Sequence, residues 1–239
     1  MKNTIIARIM YPARRLVLAI SLLSLISSVP YSKSEDNVEI VANAPAQDVY
    51  VQAGLEHLGL NRNVYNTAYK GWLKLKRRGE ISRDILSICD FTQSSSKERL
   101  YVIDMAAGKV LYHTLVAHGK NTGVEYAKYF SNQPQSLESS LGFYVTGNTY
   151  QGTHGLALVL EGKEHGFNDK AEERGIVMHG ADYVSHSFIS KYGTLGRSWG
   201  CPAVSTELHE QIINTIKGGS CLFIYYPDKQ YLSASSLIH

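Results

Sequence analysis

The chain has 239 residues, 44% hydrophobic and 19% charged, with a formal net charge of +3. Four of its 24 Lys and Arg residues and none of its 21 Asp and Glu residues fall within residues 1–28, so the remainder carries 20 against 21, a net −1. The basic balance therefore gives no reason to expect a nucleic-acid partner, and the remaining length is ample for one domain with a real core.

Residues 1–29 have the layout of a secretory signal. Lys2, Arg8, Arg14 and Arg15 precede the apolar run Leu16 to Ile26, and small residues Ser27 and Ser28 follow. The run is short for a membrane span, which needs roughly 20 apolar residues, so a cleaved signal is expected ahead of an uncleaved N-terminal anchor. Export to the periplasm or cell envelope follows, with no other membrane partner. Residues 30–46 (PYSKSEDNVEIVANAPA) read as a linker.

Residues 47–90 read as a small helical segment packed on the main domain. Helical spacing runs from Val49 to Leu60 with Asp48 as a possible N-cap, and a second short helix starts near Asn66, where Tyr69, Trp72, Leu73 and Leu75 supply apolar contacts. Its cluster KLKRR (74–78) reads as a solvated face. The main domain, residues 91–228, has a β texture. RLYVIDMAAGKVLYHTLVAHG predicts a hairpin about Ala107-Gly108-Lys109, and LGFYVTG, LALVLEG, IVMHG and CLFIYY are further short strands between glycine-rich turns. STELHEQIINTI predicts a helix with a Ser or Thr cap and Glu207 in its first turn. Residues 229–239 remain as a C-terminal tail. This is a β-rich domain with a few short helices, a sandwich or partial barrel, with no internal repeat.

Three cysteines are present. Cys89 (ILSICDF) and Cys221 (GGSCLFIYY) sit in apolar runs as core residues, and whether they pair is open. Cys201, in GRSWGCPAV, has no such surround and is the candidate free thiol. Pro202 drives Cys201 toward extended geometry and has no N–H of its own. An oxyanion hole here would draw on the N–H groups of Cys201 and Gly200, or of Trp199, and Gly200 permits a turn with positive φ. A thiol nucleophile also needs a base. Of nine histidines, His118 and His179 end strand-like runs, His154 lies in a turn, and His165 lies in an exposed charged loop. Spacing does not choose between His118 and His179.

IVMHG at 176–180 followed by SWGC at 198–201 resembles the HG…S-x-G-C signature of the L,D-transpeptidase (YkuD-type) family, in particular its murein L,D-transpeptidase catalytic domain branch. The likeness extends over RLYVIDMAAGKVLYHTLVAHGKNTG, SSLGFYVTG, YQGTHGLAL and ERGIVMHGADYVS, roughly residues 50 to 227. The resemblance implies a mainly β, sandwich-like catalytic domain in which Cys201 is the nucleophile and His179 the general base and acid. It also implies that the carbonyl of Gly180 orients the His179 ring. The implied substrates are peptidoglycan stem peptides. Cys201 would attack the third stem residue at its L-centre and expel the terminal D-alanine; the thioester would pass to an amine for a 3→3 cross-link, or to water in an L,D-carboxypeptidase. Carbapenems are implied as covalent inhibitors, and no metal or organic cofactor is implied.

The sequence departs from the better-known S-H-G-C-x-R core. Trp199 stands where that core has histidine, and Ala203 stands where it has arginine. Trp199 cannot move a proton, which concentrates proton transfer on His179. Arg197 is the nearest replacement cation, either as a bidentate partner for a stem carboxylate or tied to loop carbonyls. Ser198, Trp199 and His154 complete the expected substrate contacts. A zinc carboxypeptidase would need ligand spacing that is not found here, such as H-E-x-x-H. A papain-like protease would place its cysteine before its histidine. A non-catalytic wall-binding protein on the same fold is the reading from another class.

Overall fold

The computed structural model describes residues 49–239; the expected signal segment, the linker 30–46 and the Asp48 cap lie outside them. The fold is mostly β. Among the described residues, eight strands form one sheet: β1 (Ile85–Asp90), β2 (Leu100–Asp104), β3 (Lys109–Thr114), β4 (Gly142–Gly152), β5 (Gly155–Gly162), β6 (Val177–Ala181), β7 (Ala203–Ser205) and β8 (Cys221–Tyr225), in the order β3-β2-β1-β8-β4-β5-β6-β7. Neighbours are antiparallel except β1 with β8 and β6 with β7. The chain leaving β3 returns to the far edge, where Ala117 bridges Ala203 and Gly119 bridges Ser198. The sheet is thus nearly closed, which covers edge groups that would otherwise be open to pairing.

The centre of the sheet is buried on both faces. β1 and β8 are buried throughout, as strands of a doubly covered sheet should be. One face is covered by α1 (Arg62–Arg77), capped by Asn61, whose side chain accepts from the Asn63 N–H at 2.8 Å. Its buried residues Val64, Tyr65, Ala68, Tyr69, Trp72 and Leu75 follow the helical period, while Lys76, Arg77 and Arg78 are exposed, as the solvated-face reading of 74–78 expects. Gly71 lies against Phe143 of β4.

Several elements differ from the sequence reading. The first expected helix is helical only over 49–52 and continues as turns, because Gly54 and Gly59 take φ of 62° and 83°. Residues 85–90, inside the stretch read as helical, form β1. ILSICD is only six residues, four of them apolar and all buried, and its backbone groups are taken by β2 and β8. A short helix α2 (His186–Tyr192) capped by Ser185 was not anticipated. The expected helix after Ser205 starts later, as α3 (His209–Ile216), with Leu208 at its cap position, no side-chain cap and Glu210 in its first turn. The C-terminal tail carries α4 (Lys229–Ala234), where buried Glu164 accepts from the Tyr231 hydroxyl at 2.9 Å. Cys89 and Cys221 are both buried free thiols. Cys221 lies opposite Leu86 and Cys89 opposite Ile224, an offset of three residues or about 10 Å along parallel strands, beyond disulfide reach.

Candidate active site

The outer halves of β4, β5 and β6 lose their second cover and open into a cleft of about 430 Å³. Register determines which side chains enter it. Tyr150 pairs with Ala157, and Ala157 with His179. Directly paired residues share a face, as do residues two apart along one strand. Tyr150, Ala157, Val177 and His179 therefore line one wall. The β4–β5 hairpin turns through Thr153 and His154, and its tip brings the His154 ring onto that of His179, with centroids 5.3 Å apart. The opposite wall is the turn Arg197–Cys201, which leads into β7. β7 runs parallel to β6 with Ala203 beside His179, so Cys201, two residues earlier, comes alongside Val177.

That turn is held from within. The Ser198 hydroxyl donates to the Cys201 carbonyl at 2.6 Å and accepts from the Gly200 N–H at 3.1 Å. Gly200 has φ 126°, and a Cβ there would lie 2.8 Å from the Glu138 carbonyl oxygen. Only glycine satisfies both constraints. The Cys201 sulfur receives the Val177 N–H at 3.5 Å and lies 3.7 Å from the Gly175 carbonyl. His179 places Nδ1 2.9 Å from the Gly180 carbonyl oxygen. A proton on Nδ1 makes that bond and leaves Nε2 as the basic nitrogen.

A family model described as the L,D-transpeptidase catalytic domain matches residues 56–225. The chain belongs to that family. Among solved structures, it is similar to an L,D-transpeptidase from Mycobacterium smegmatis (12% identity, 60% of this chain and 59% of that one, TM-score 0.37). It is also similar to an L,D-transpeptidase solved in complex with imipenem (11%, 59% and 59%, 0.36). A third is a helical cell shape determining protein from Campylobacter jejuni (15%, 72% and 60%, 0.40). The chain thus spans about 60% of the length of the first structures it matches. No curated protein matches it.

Within this L,D-transpeptidase domain, the two histidines that spacing left equal are in different places. His118 is buried outside the cleft, with Nδ1 2.8 Å from Nη2 of the fully buried Arg99 and Nε2 3.2 Å from the Gly123 carbonyl. Burial first, then the neighbouring guanidinium, pulls its pKa down to about 4. His179 is lowered too, by burial and then by repulsion from His154 and His209, against the Gly180 bond that raises it. Burial pushes the Cys201 thiol up, against the lowering effects of the Val177 N–H and the Arg174 guanidinium. A lowered imidazole beside a raised thiol makes the resting pair neutral at pH 7.

Arg197 is exposed and donates from Nη1 to the Lys120 and Gly123 carbonyls at 3.3 and 3.4 Å, the loop-tethering alternative of its two readings. Trp199 is 79% exposed on the rim. His165, expected to be exposed, pairs with Asp169 at the surface. The sequence reading missed Tyr183, Tyr150 and Arg174. Tyr183 follows HGAD closely enough to have been suspected. Tyr150 reaches the cleft only through the β4–β5 register, and Arg174 comes to lie behind the Cys201 turn only through its packing on residues 131–140.

Proposed function

We propose that this protein is a cysteine acyltransferase of peptidoglycan stem peptides, working outside the cytoplasmic membrane in cell-wall biogenesis. The observation that carries the reading is the Nδ1 contact of His179 with Gly180, which leaves Nε2 basic in the same cleft as Cys201. In the first half-reaction the sulfur attacks the carbonyl carbon at the L-centre of the third stem residue as Nε2 takes the thiol proton. The C–N bond to the terminal D-alanine then breaks, and His179 returns the proton to the departing amine. In the second half-reaction an amine of a neighbouring stem attacks the thioester carbonyl and gives its proton to His179; the C–S bond then breaks and His179 passes that proton to the departing sulfur. The products are a 3→3 cross-link and the free thiol. Because the resting pair is neutral, the proton moves during attack rather than before it.

The tetrahedral oxygen needs donors. With the Gly200 N–H given to Ser198, the Cys201 N–H is the main-chain donor that remains in this turn, together with that of Trp199. Trp199 and His154 offer ring faces to the stem, and Arg197 keeps Nη2 for a stem carboxylate. Ser198 acts by shaping the turn. The same thiol opens a carbapenem ring and holds it as a thioester.

The test is incubation with tetrapeptide-bearing muropeptides and, separately, with a carbapenem, each read by mass. Loss of D-alanine with dimer formation, and a one-to-one adduct on Cys201, are expected from wild type and not from Cys201→Ala. Tripeptide monomers alone would identify water as the acceptor. An adduct of equal yield on Cys201→Ala would sink the reading.

A further inference from the structure

Arg174 stands just before β6, three residues ahead of Val177 and five ahead of His179. Its half-buried guanidinium makes four hydrogen bonds, all into residues 131–140. Nη1 donates to the Ser131 carbonyl at 2.6 Å and to the Ser140 hydroxyl. Nη2 donates to the Ser136 hydroxyl at 3.1 Å and to the Glu138 carbonyl at 2.6 Å. This segment needs a tether, because Gln135 and Leu137 take φ of 61° and 58°, a region that side chains with a Cβ avoid.

The tethered segment lies directly on the nucleophile's turn. The Ser139 hydroxyl donates to the Gly200 carbonyl at 3.1 Å. A Cβ on Gly200 would lie 2.8 Å from the Glu138 carbonyl and 3.3 Å from Arg174 Nη2. On its other side, the Arg174 backbone leads straight into Gly175 and Val177, whose carbonyl and N–H flank the sulfur. Among the described residues, the titratable and charged groups around this sulfur are Arg174 and Tyr183, with His179 across the cleft, His154 and His209 behind that ring, Arg197 in the same cleft and Glu138 beside Arg174. Of the two arginines, Arg174 acts on the thiol, while Arg197 is exposed and donates to the Lys120 and Gly123 carbonyls.

We propose that Arg174 is a positioning residue of this site: it fixes residues 131–140 against the Gly200–Cys201 turn and supplies a standing positive charge beside the sulfur as the thiolate forms. Ala203, two residues past the nucleophile, is buried in β7 and supplies no charge there. The inference rests on the reading of Cys201 as nucleophile.

Two separable effects follow. Arg174→Gln removes the charge and most of the fork. The midpoint of Cys201 alkylation by iodoacetamide should rise by about one pH unit, so that alkylation at pH 7 slows about tenfold. Arg174→Lys restores a charge without the planar fork. Alkylation should return close to wild type, while acylation by a carbapenem stays down by up to about 10²-fold because the turn is misplaced. A merely structural role would not move the alkylation midpoint. A folded Arg174→Gln protein with the wild-type midpoint and wild-type acylation overturns the proposal.

If neither variant folds, the Ser136→Ala/Ser140→Ala double variant removes two acceptors and keeps the charge. It should leave the alkylation midpoint in place and slow acylation, and wild-type acylation there overturns the tether. A wild-type protein that alkylates at Cys201 but transfers no acyl group would remove the acyltransferase reading, while the alkylation comparison still decides the charge of Arg174.

Discussion

The imidazole of His154 stacks on that of His179, with ring centroids 5.3 Å apart and planes 27° from parallel. Two cations cannot share that stack cheaply, so His154 helps to hold His179 neutral. Removing His154 takes away the repulsion and admits water to the ring, and both changes raise the His179 pKa. His154→Ala should therefore shift the acid limb of acylation to higher pH, since the base is lost to protonation earlier as pH falls. A pH–rate profile of carbapenem acylation measures this, and an unshifted limb would exclude the coupling.

His179→Ala should slow acylation by about 10²–10⁴-fold, the usual contribution of a general base. His118→Ala should fall short of that loss, because His118 is engaged with Arg99 and Gly123 outside the cleft. Single-turnover acylation of the two folded variants compares them directly, and the reverse ranking would overturn the assignment of the base.

Gly200→Ala places a methyl group 2.8 Å from a backbone oxygen at a φ of 126°. The turn must shift, and the Cys201 N–H shifts with it. Loss of one oxyanion donor typically costs about 10²–10³-fold, so acyl transfer should fall on that scale. Alkylation of Cys201 by a small reagent needs no such donor and should survive. Parallel loss of both reactions would indicate a collapsed turn instead.

His118 should make the fold acid-sensitive. Its pKa is about 4 in the folded chain against 6.5 for an ordinary histidine. A depressed histidine contributes stability that is fully present above the unfolded value and is lost as pH falls toward the folded one. The window is therefore pH 6.5 to 4, and the most it can contribute is roughly 3 kcal/mol. Denaturant titrations at pH 7 and pH 4 should show this loss, and His118→Gln should flatten it.

Gly71→Ala sets helix propensity against packing. Alanine in mid-helix gains about 1 kcal/mol over glycine. At this position its Cβ would lie 2.1 Å from Phe143 Cζ, and that ring is buried and stacked on Phe223 with centroids 4.0 Å apart. Overpacking costs typically about 1–3 kcal/mol, so the substitution should lower the melting temperature even though it improves the helix.

The elements legible in the sequence were those whose signals are local. Apolar strands bounded by glycines marked β4, β5, β6 and β8, and the Ala107–Lys109 turn marked the β2–β3 hairpin. The Gly200-Cys201-Pro202 conformation could be reasoned from three adjacent residues, and Cys201 stood out because its neighbours are not core residues. β1 was harder, because six buried residues, four of them apolar, carry no period that separates a strand from a buried helix. Its partners β2 and β8 lie at quite different distances along the chain, with β8 more than a hundred residues away. The choice between His118 and His179 was a matter of tertiary environment. Both end apolar runs, and only the fold buries one against Arg99 while opening a cleft beside the other. Arg174 gave no signal at all, since its four acceptors lie some forty residues upstream. Composition and turn chemistry act over a few residues and so can be read along the chain. Burial, register and the neighbours of a charge depend on segments distant in sequence, and these decided which of the available side chains became the site.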